Sequence, residues 1–278
     1  MRGRPPPSPA GQGDPRQRET QSGRADMADS EPMKPADLLP SAGDDARLLL
    51  AAAQAGWERT LPDCPGWDAA DLVRHQGGIF VWMAAVVTSG ERVSRRALDP
   101  APADAADLPG WYLASLDQTL DVLGSADPES PTWTFSSRGD LRVGWWQRRL
   151  AVEVAIHRWD AEHAAAADGG SGPDPLDGDV AAAGIEEFMT EFLPGLLGQD
   201  DVDGPSGTLH LHATDGPTEW WIDLDAAGPA VSRHAKADTA IRGTRSDLLL
   251  WLNNRGSPGA LEILGPQKVL DEWKQLRR

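Results

Sequence analysis

The apolar positions of this 278-residue chain follow two different rhythms. In the first part they return every three or four residues, the period of a helix with one buried face. That spacing predicts helices over residues 38–55, 68–87, 105–123 and 141–167, with a break near Pro40–Gly43 in the first and a stop at Gly169-Gly170 after the last. Residues 61–67 (Leu-Pro-Asp-Cys-Pro-Gly-Trp) and 125–138, which contain Pro128 and Pro131, read as loops. Four helices in one half of a chain predict an antiparallel four-helix bundle. After a linker over residues 169–175 the rhythm changes. A helix over 180–193 is followed by short alternating stretches at 208–213, 220–224, 230–234 and 239–242, separated by turn residues as strands are. A helix at 246–253, a strand at 261–264 and a helix at 267–276 complete a small α+β domain. No internal repeat relates the two halves.

Composition adds a third segment. Residues 1–36 are rich in Pro, Gly, Arg and Ser and almost free of large apolar side chains, so they cannot bury enough surface to offset the entropy of ordering. They are predicted to be a disordered extension, or a start placed too far upstream, with Met27 and Met33 as alternative initiators. No apolar core follows their arginines, so they do not read as a secretory leader, and no apolar run in the chain is long enough to span a bilayer. The expected layout is an extension over 1–36, a bundle over 37–170 and an α+β domain over 171–278.

The formal net charge is −17, and because residues 1–36 hold 6 basic and 5 acidic side chains, about −18 falls on the remainder. Such a surface repels phosphate backbones, which argues against nucleic acid as a partner and for a small metabolite, received if anionic by a local basic pocket. The single cysteine, Cys64, excludes an intrachain disulfide, and a reducing cytoplasm is the expected compartment.

Candidate chemistry comes from polar residues on apolar faces. On the fourth helix Gln147, Arg148, Arg158 and Glu162 cluster on the side predicted to face water, while Trp146, Leu150, Ala161 and Ala164 lie opposite. Glu153 and His157 fall in that second arc, one turn apart. On the second helix His75 is the polar member of a stripe with Leu72, Ile79, Trp82 and Val86. Gly77 and Gly78 follow, each costing about 1 kcal/mol against alanine in a helix, which close approach of a backbone or a ligand would explain. Two imidazoles and a carboxylate from two helices suit zinc or another first-row divalent ion, and three such ligands leave coordination positions open. Periodicity alone favours the plainer accounts over a metal site: a hydrogen-bonded core histidine and a Glu–His ion pair.

The same residues carry a family resemblance. Cys64-Pro65-Gly66-Trp67, then Asp71-Leu72-Val73-Arg74-His75 with Gly77-Gly78, resembles the mycothiol-dependent maleylpyruvate isomerase family, as does Glu153-Val154-Ala155-Ile156-His157-Arg158-Trp159-Asp160. In the second half, Gly207-Thr208-Leu209-His210-Leu211-His212-Ala213-Thr214-Asp215 and Asp247-Leu248-Leu249-Leu250-Trp251-Leu252 are similar too. The resemblance runs from about Ala36 to the C-terminus. It implies a DinB-like four-helix bundle followed by a sterol-carrier-like α+β domain, and zinc held by His75, Glu153 and His157. It implies mycothiol, a low-molecular-weight thiol, as cosubstrate, and isomerase or thiol-transferase activity on a small electrophilic metabolite. The N-terminal extension lies outside the family pattern, and Gln76 stands where an apolar residue is common.

The remaining candidates have bland alternatives. Cys64 lies about 16 Å from His75 if the 11-residue step from one to the other is laid along an ideal helix, which favours a small loop residue over a nucleophile. An open metal site can hold a cofactor's thiol as its nucleophilic thiolate. The resemblance places an important arginine in the second domain; Arg242 and Arg245 flank Gly243, and Arg242 is the candidate for an anionic substrate. Trp82 and Trp146 share faces with the ligands and either wall a pocket or fill the core. His210 and His212 share one strand face, but no acidic or thiol partner lies near them in sequence, so a second metal site is not expected. His163 is expected to be peripheral, and His234 has no supporting pattern. Two rival readings are a metal-dependent hydrolase using metal-bound water and a non-catalytic carrier whose metal braces the bundle, with Asp160 as the residue that could close its site.

Overall fold

The computed structural model describes residues 33–167, 169, 172–198, 205–225, 231–232, 236–266, 268–274 and 276. The expected extension therefore lies, as far as residue 32, outside the described residues, and so does His234. Residues from Met33 onward form one compact unit.

Four long helices open the fold. A 3-10 turn at Pro35–Leu38 leads into α1, Leu39–Gln54. The predicted break at Pro40 does not occur, because Pro40 sits in the first turn, where a helix has no use for its missing N–H. Helix α2, Ala69–Ser89, starts on a capping box in which the Asp68 carboxylate accepts from the Asp71 backbone N–H at 2.8 Å, and stops at Gly90 in the left-handed conformation (φ 73°). Helix α3 is Leu108–Ser125 and α4 is Val143–Ala166. α1 packs chiefly on α4, and α2 on α3. Two buried side chains tie helices together: the Tyr112 hydroxyl donates to the Ala46 carbonyl at 3.1 Å, and Thr119 to the Phe80 carbonyl at 2.7 Å.

Gly77 accounts for the closeness of α2 and α3. A Cβ there would come within 2.4 Å of the Trp111 ring. At Gly78 it would meet the Arg95 guanidinium at an ordinary 3.7 Å.

The second half is α+β. Helix α5, Gly178–Glu187, runs into a wide π turn at Phe188–Phe192 and a short α6, Leu193–Leu197. The π turn falls just ahead of Pro194, whose ring and missing N–H oppose a regular ladder. Strands β1 (Thr208–Ala213), β2 (Glu219–Asp223), β3 (Val231–Ser232), β4 (Thr239–Gly243) and β5 (Glu262–Leu264) form one mixed sheet in the order β3-β2-β1-β4-β5. Among the described residues the β1–β4 pair is parallel and the other three pairs are antiparallel. Helix α7, Arg245–Leu252, packs on β4 and β1, and α8, Lys268–Trp273, is the last element among the described residues. Leu209, Leu211, Trp220, Ile222 and Ile241 are buried, while alternate residues of the same strands are half exposed.

Helix α5 lies between the halves, against α4 on one side and α7 on the other. That placement corrects one expectation. Gln147 and Arg158, assigned to a solvent face, are both buried. Gln147 donates to the Leu123 carbonyl at 2.9 Å. Arg158 pairs with Asp45 at 3.0 Å and Glu162 at 2.5 Å and caps the carbonyls of Asp174 and Pro175. The pattern predicts a single water-facing side for α4, whereas the helix is covered by α1 and by α5 at once.

Candidate metal centre

His75 projects from the second turn of α2, and Glu153 and His157 from successive turns of α4. The structure brings the three together. One Glu153 oxygen, Oε1, lies 3.3 Å from Nε2 of His75 and 3.3 Å from Nε2 of His157. The imidazole rings are 5.2 Å apart and nearly perpendicular. One ligand atom from each residue lies within 4.8 Å of the others, and all three side chains are part-buried.

Each imidazole is prepared differently. Burial pushes the His75 pKa down to about 3, and the like charges of His157, Arg95 and Arg149 push the same way, so its ring is neutral with a lone pair at ordinary pH. Burial also opposes charge on His157, but hydrogen bonds to Asp160 and Cys64 and the charge of Asp160 outweigh it and raise its pKa. His157 Nδ1 lies 2.9 Å from Asp160 Oδ2, which leaves Nε2 turned towards Glu153. A carboxylate on the far nitrogen of an imidazole fixes ring orientation and raises its basicity as a ligand.

Asp160 is itself clamped. It is fully buried, and Arg255, from the segment after α7, donates to both its oxygens, from Nε at 2.7 Å and Nη2 at 2.9 Å. Burial alone would raise the Asp160 pKa; His157 and Arg255 hold it down at about 2. On the other flank Arg149 pairs with Glu153 Oε2 and with Glu187 of α5.

The loop before α2 closes the site. Thr60 bridges Asp68, and the Leu61 N–H reaches the Trp67 carbonyl at 3.0 Å, so residues 61–67 fold back over the helix ends. The Trp67 ring then lies 4.8 Å from that of His75 and 6.5 Å from that of His157. Cys64 Sγ comes 3.4 Å from Asp160 Oδ2. Spacing along an ideal helix would set Cys64 far from this group; the turn brings it to the edge.

Other expected residues lie elsewhere. Arg242 is on β4, half exposed, and pairs with Glu262 at 2.8 Å; among the described residues no hydrogen bond or ion pair joins it to His75, Glu153 or His157. The arginines around the group are Arg149, Arg255 and, through its field on His75, Arg95. Neither Arg149 nor Arg255 was singled out in sequence, and Arg149 carried the one available signal, a position four residues before Glu153. Trp146 is core, while Trp82 lines a cleft of about 600 Å³ with Trp133, Phe135, Arg92, Arg95 and Arg96. Arg95 lies over the Trp82 ring in that cleft, and its charge helps hold the His75 pKa down. A larger, open cleft of about 1030 Å³ beside Trp57–Thr60 contains none of the three residues. His163, half exposed, pairs with Asp63 at the periphery. Gln76, beside His75, is fully buried with neither amide atom hydrogen-bonded among the described residues.

The donor set fits a borderline divalent ion: two imidazoles, one of them held neutral, and a carboxylate converge from two rigid helices. Asp160 does not complete a closed four-ligand shell, because both its oxygens are engaged by Arg255 and His157.

Two family models match the chain. One, described as the mycothiol maleylpyruvate isomerase N-terminal domain, covers residues 38–162, and the other, described as the MDMPI C-terminal domain, covers residues 179–272. No curated protein matches by sequence. Among solved structures, one titled as the mycothiol-dependent maleylpyruvate isomerase superposes with a TM-score of 0.55 at 12% identity, over 82% of this chain and 91% of that one. A histidine-to-alanine mutant of such an isomerase superposes with a TM-score of 0.52 at 11% identity, over 83% and 93%. At such identities the likeness speaks for the fold.

Proposed function

The chain belongs to the mycothiol maleylpyruvate isomerase family, and from that premise we propose that it is a metal-dependent enzyme that uses a low-molecular-weight thiol, mycothiol, on a small electrophilic metabolite. The observation that carries the reading is the convergence of His75, Glu153 and His157. These three are the proposed ligands, and zinc is the proposed ion. When bound, the ion supplies a Lewis-acidic charge that favours the thiolate form of the cosubstrate.

The chain's own residues do the rest. His75 and His157 offer Nε2, and the Asp160–Arg255 pair keeps the His157 ring from rotating. Arg149 holds Glu153 through its second oxygen. Trp67 places its ring beside both imidazoles. Because Asp160 is engaged elsewhere, three protein ligands leave room for a thiol, which favours an enzyme over a carrier with a structural metal.

For an isomerisation, the thiolate sulfur adds to one carbon of a conjugated C=C bond and the electron pair moves onto the conjugated carbonyl. The resulting single bond rotates, the pair returns and the C–S bond breaks, so thiol and electrons are recovered. For a transfer, the C–S bond is kept and the enolate takes, at its α-carbon, the proton the thiol gave up on ionising. Two arginines are proposed for the carboxylate of an anionic substrate: Arg242 of β4, and Arg95, which lies over the Trp82 ring in the aromatic cleft and whose charge acts on His75.

The test is metal analysis of untagged protein followed by thiol titration of a cobalt-substituted sample. The expected results are one tightly held ion in the bundle, a thiolate-to-metal charge-transfer band, and thiol-dependent turnover that His75→Ala abolishes. Protein that takes up no metal, with turnover unchanged in His75→Ala, ends the proposal. Thiol-independent turnover of a generic ester would point to the hydrolase instead.

A further inference from the structure

The sheet carries a second group with the same donor set as the bundle. Strand β1 alternates buried and half-open positions, and His210 and His212 occupy consecutive places on its half-open face. In the antiparallel register with β2, Glu219 stands directly opposite His212. The carboxylate reaches both rings, with Oε2 3.0 Å from His210 Nε2 and Oε1 2.8 Å from His212 Nδ1. The rings lie 6.0 Å apart, close to perpendicular, and one ligand atom from each residue falls within 4.8 Å of the others. Sequence distance hid the carboxylate, because the turn between β1 and β2 sets Glu219 seven residues after His212.

We propose that His210, His212 and Glu219 form a second binding site for a zinc-class divalent ion, on the sheet and separate from the bundle. Imidazole nitrogen with carboxylate oxygen is the donor set of zinc, cobalt and nickel sites, not of calcium or magnesium. Bonds of roughly 2.1 Å to a shared ion require ligand atoms roughly 3–4 Å apart; the His210 contact, at 3.0 Å, meets that spacing and the His212 contact, at 2.8 Å, needs a few tenths of an ångström of opening. Two neighbouring strands fix the backbone of all three residues, so little ordering is left to the ion. The side chains are 17%, 33% and 14% exposed, which shelters the site yet leaves it open to solvent. The chain's large negative charge raises the local concentration of cations. Plain carboxylate–imidazole hydrogen bonds are the competing account, and ion counting separates the two.

The experiment uses full-length protein stripped with a chelator and dialysed against Co(II) or Zn(II) with the bound ion counted. In the His75→Ala background the bundle site is removed, and one ion per chain is expected to remain. Adding His212→Ala, on the half-open face, is expected to abolish it, and adding Glu219→Gln to weaken it at least tenfold. Circular dichroism checks that each variant is folded. Should His75→Ala lose the fold, His212→Ala alone replaces it, lowering the stoichiometry from two to one. If folded His75→Ala binds no ion, or the double variant binds as tightly as His75→Ala, the sheet site does not exist. If His75→Ala does not change the count while His212→Ala lowers it, the sheet site stands and the bundle reading falls.

Discussion

Asp160 is a charge with no access to water, and Arg255 is what makes that tolerable. Removing one partner of such a pair costs about 3–5 kcal/mol, since the other charge is left buried and unpaired. Arg255→Ala is therefore expected to destabilise the fold by that order, read from the midpoint of chemical denaturation. Because Asp160 also holds Nδ1 of His157, the same variant should lose roughly 10–100-fold in metal affinity, the usual effect of disturbing a ligand's outer partner. Arg255→Lys keeps the charge and loses the two-pronged geometry, so it should fall between. Arg242 makes its ion pair with a well-exposed Glu262, and Arg242→Ala should cost less than about 1 kcal/mol. Metal titration of the two alanine variants side by side decides the matter; equal losses would mean that the Asp160 clamp does not organise the site.

At the scale of elements, helices were legible wherever one face was apolar. The stripe of α2 and the Glu153–His157 spacing on α4 were visible because a regular helix turns a sequence interval into a position. Contacts made by chain reversal were not. Cys64 reaches Asp160 because a seven-residue turn folds back, Glu219 meets His212 through an antiparallel register, and Arg255 arrives from nearly a hundred residues away. The faces of α4 were misjudged for a related reason, since a second layer of protein replaces the solvent that Gln147 and Arg158 were expected to meet. Gly77 was legible as an anomaly and the structure gives its cause. Gly77→Ala gains about 1 kcal/mol of helix propensity, but its Cβ must displace the Trp111 ring from 2.4 Å. Overpacking costs about 1–3 kcal/mol. A net loss of stability is expected, relieved when Trp111→Leu is added. An alanine that stabilises the single variant would show that α2 and α3 are free to separate.

At the scale of the whole molecule, the two halves are held together by buried charges as well as by apolar packing. Arg149 of the bundle pairs with Glu187 of α5, and Asp160 of the bundle with Arg255 beyond α7; Glu187 and Asp160 are almost wholly inaccessible. At Gly184 a Cβ would come within 2.7 Å of Leu249 on α7 and 3.1 Å of Val152 on α4, so three helices meet with no space to spare. Unfolding either half alone would strand Arg149 and Asp160 without partners while exposing the apolar side of α4. Both penalties are several kcal/mol, comparable to the whole stability of a domain. The bundle and the sheet should therefore unfold in one transition. Far-UV circular dichroism, tryptophan fluorescence and hydrogen exchange at amides of α2 and β1 should give the same midpoint in urea, and loading the bundle metal should move all three together. A sheet that melts first and leaves α2 protected would show that these cross-links are incidental, and would make metal affinity in the bundle independent of Arg255.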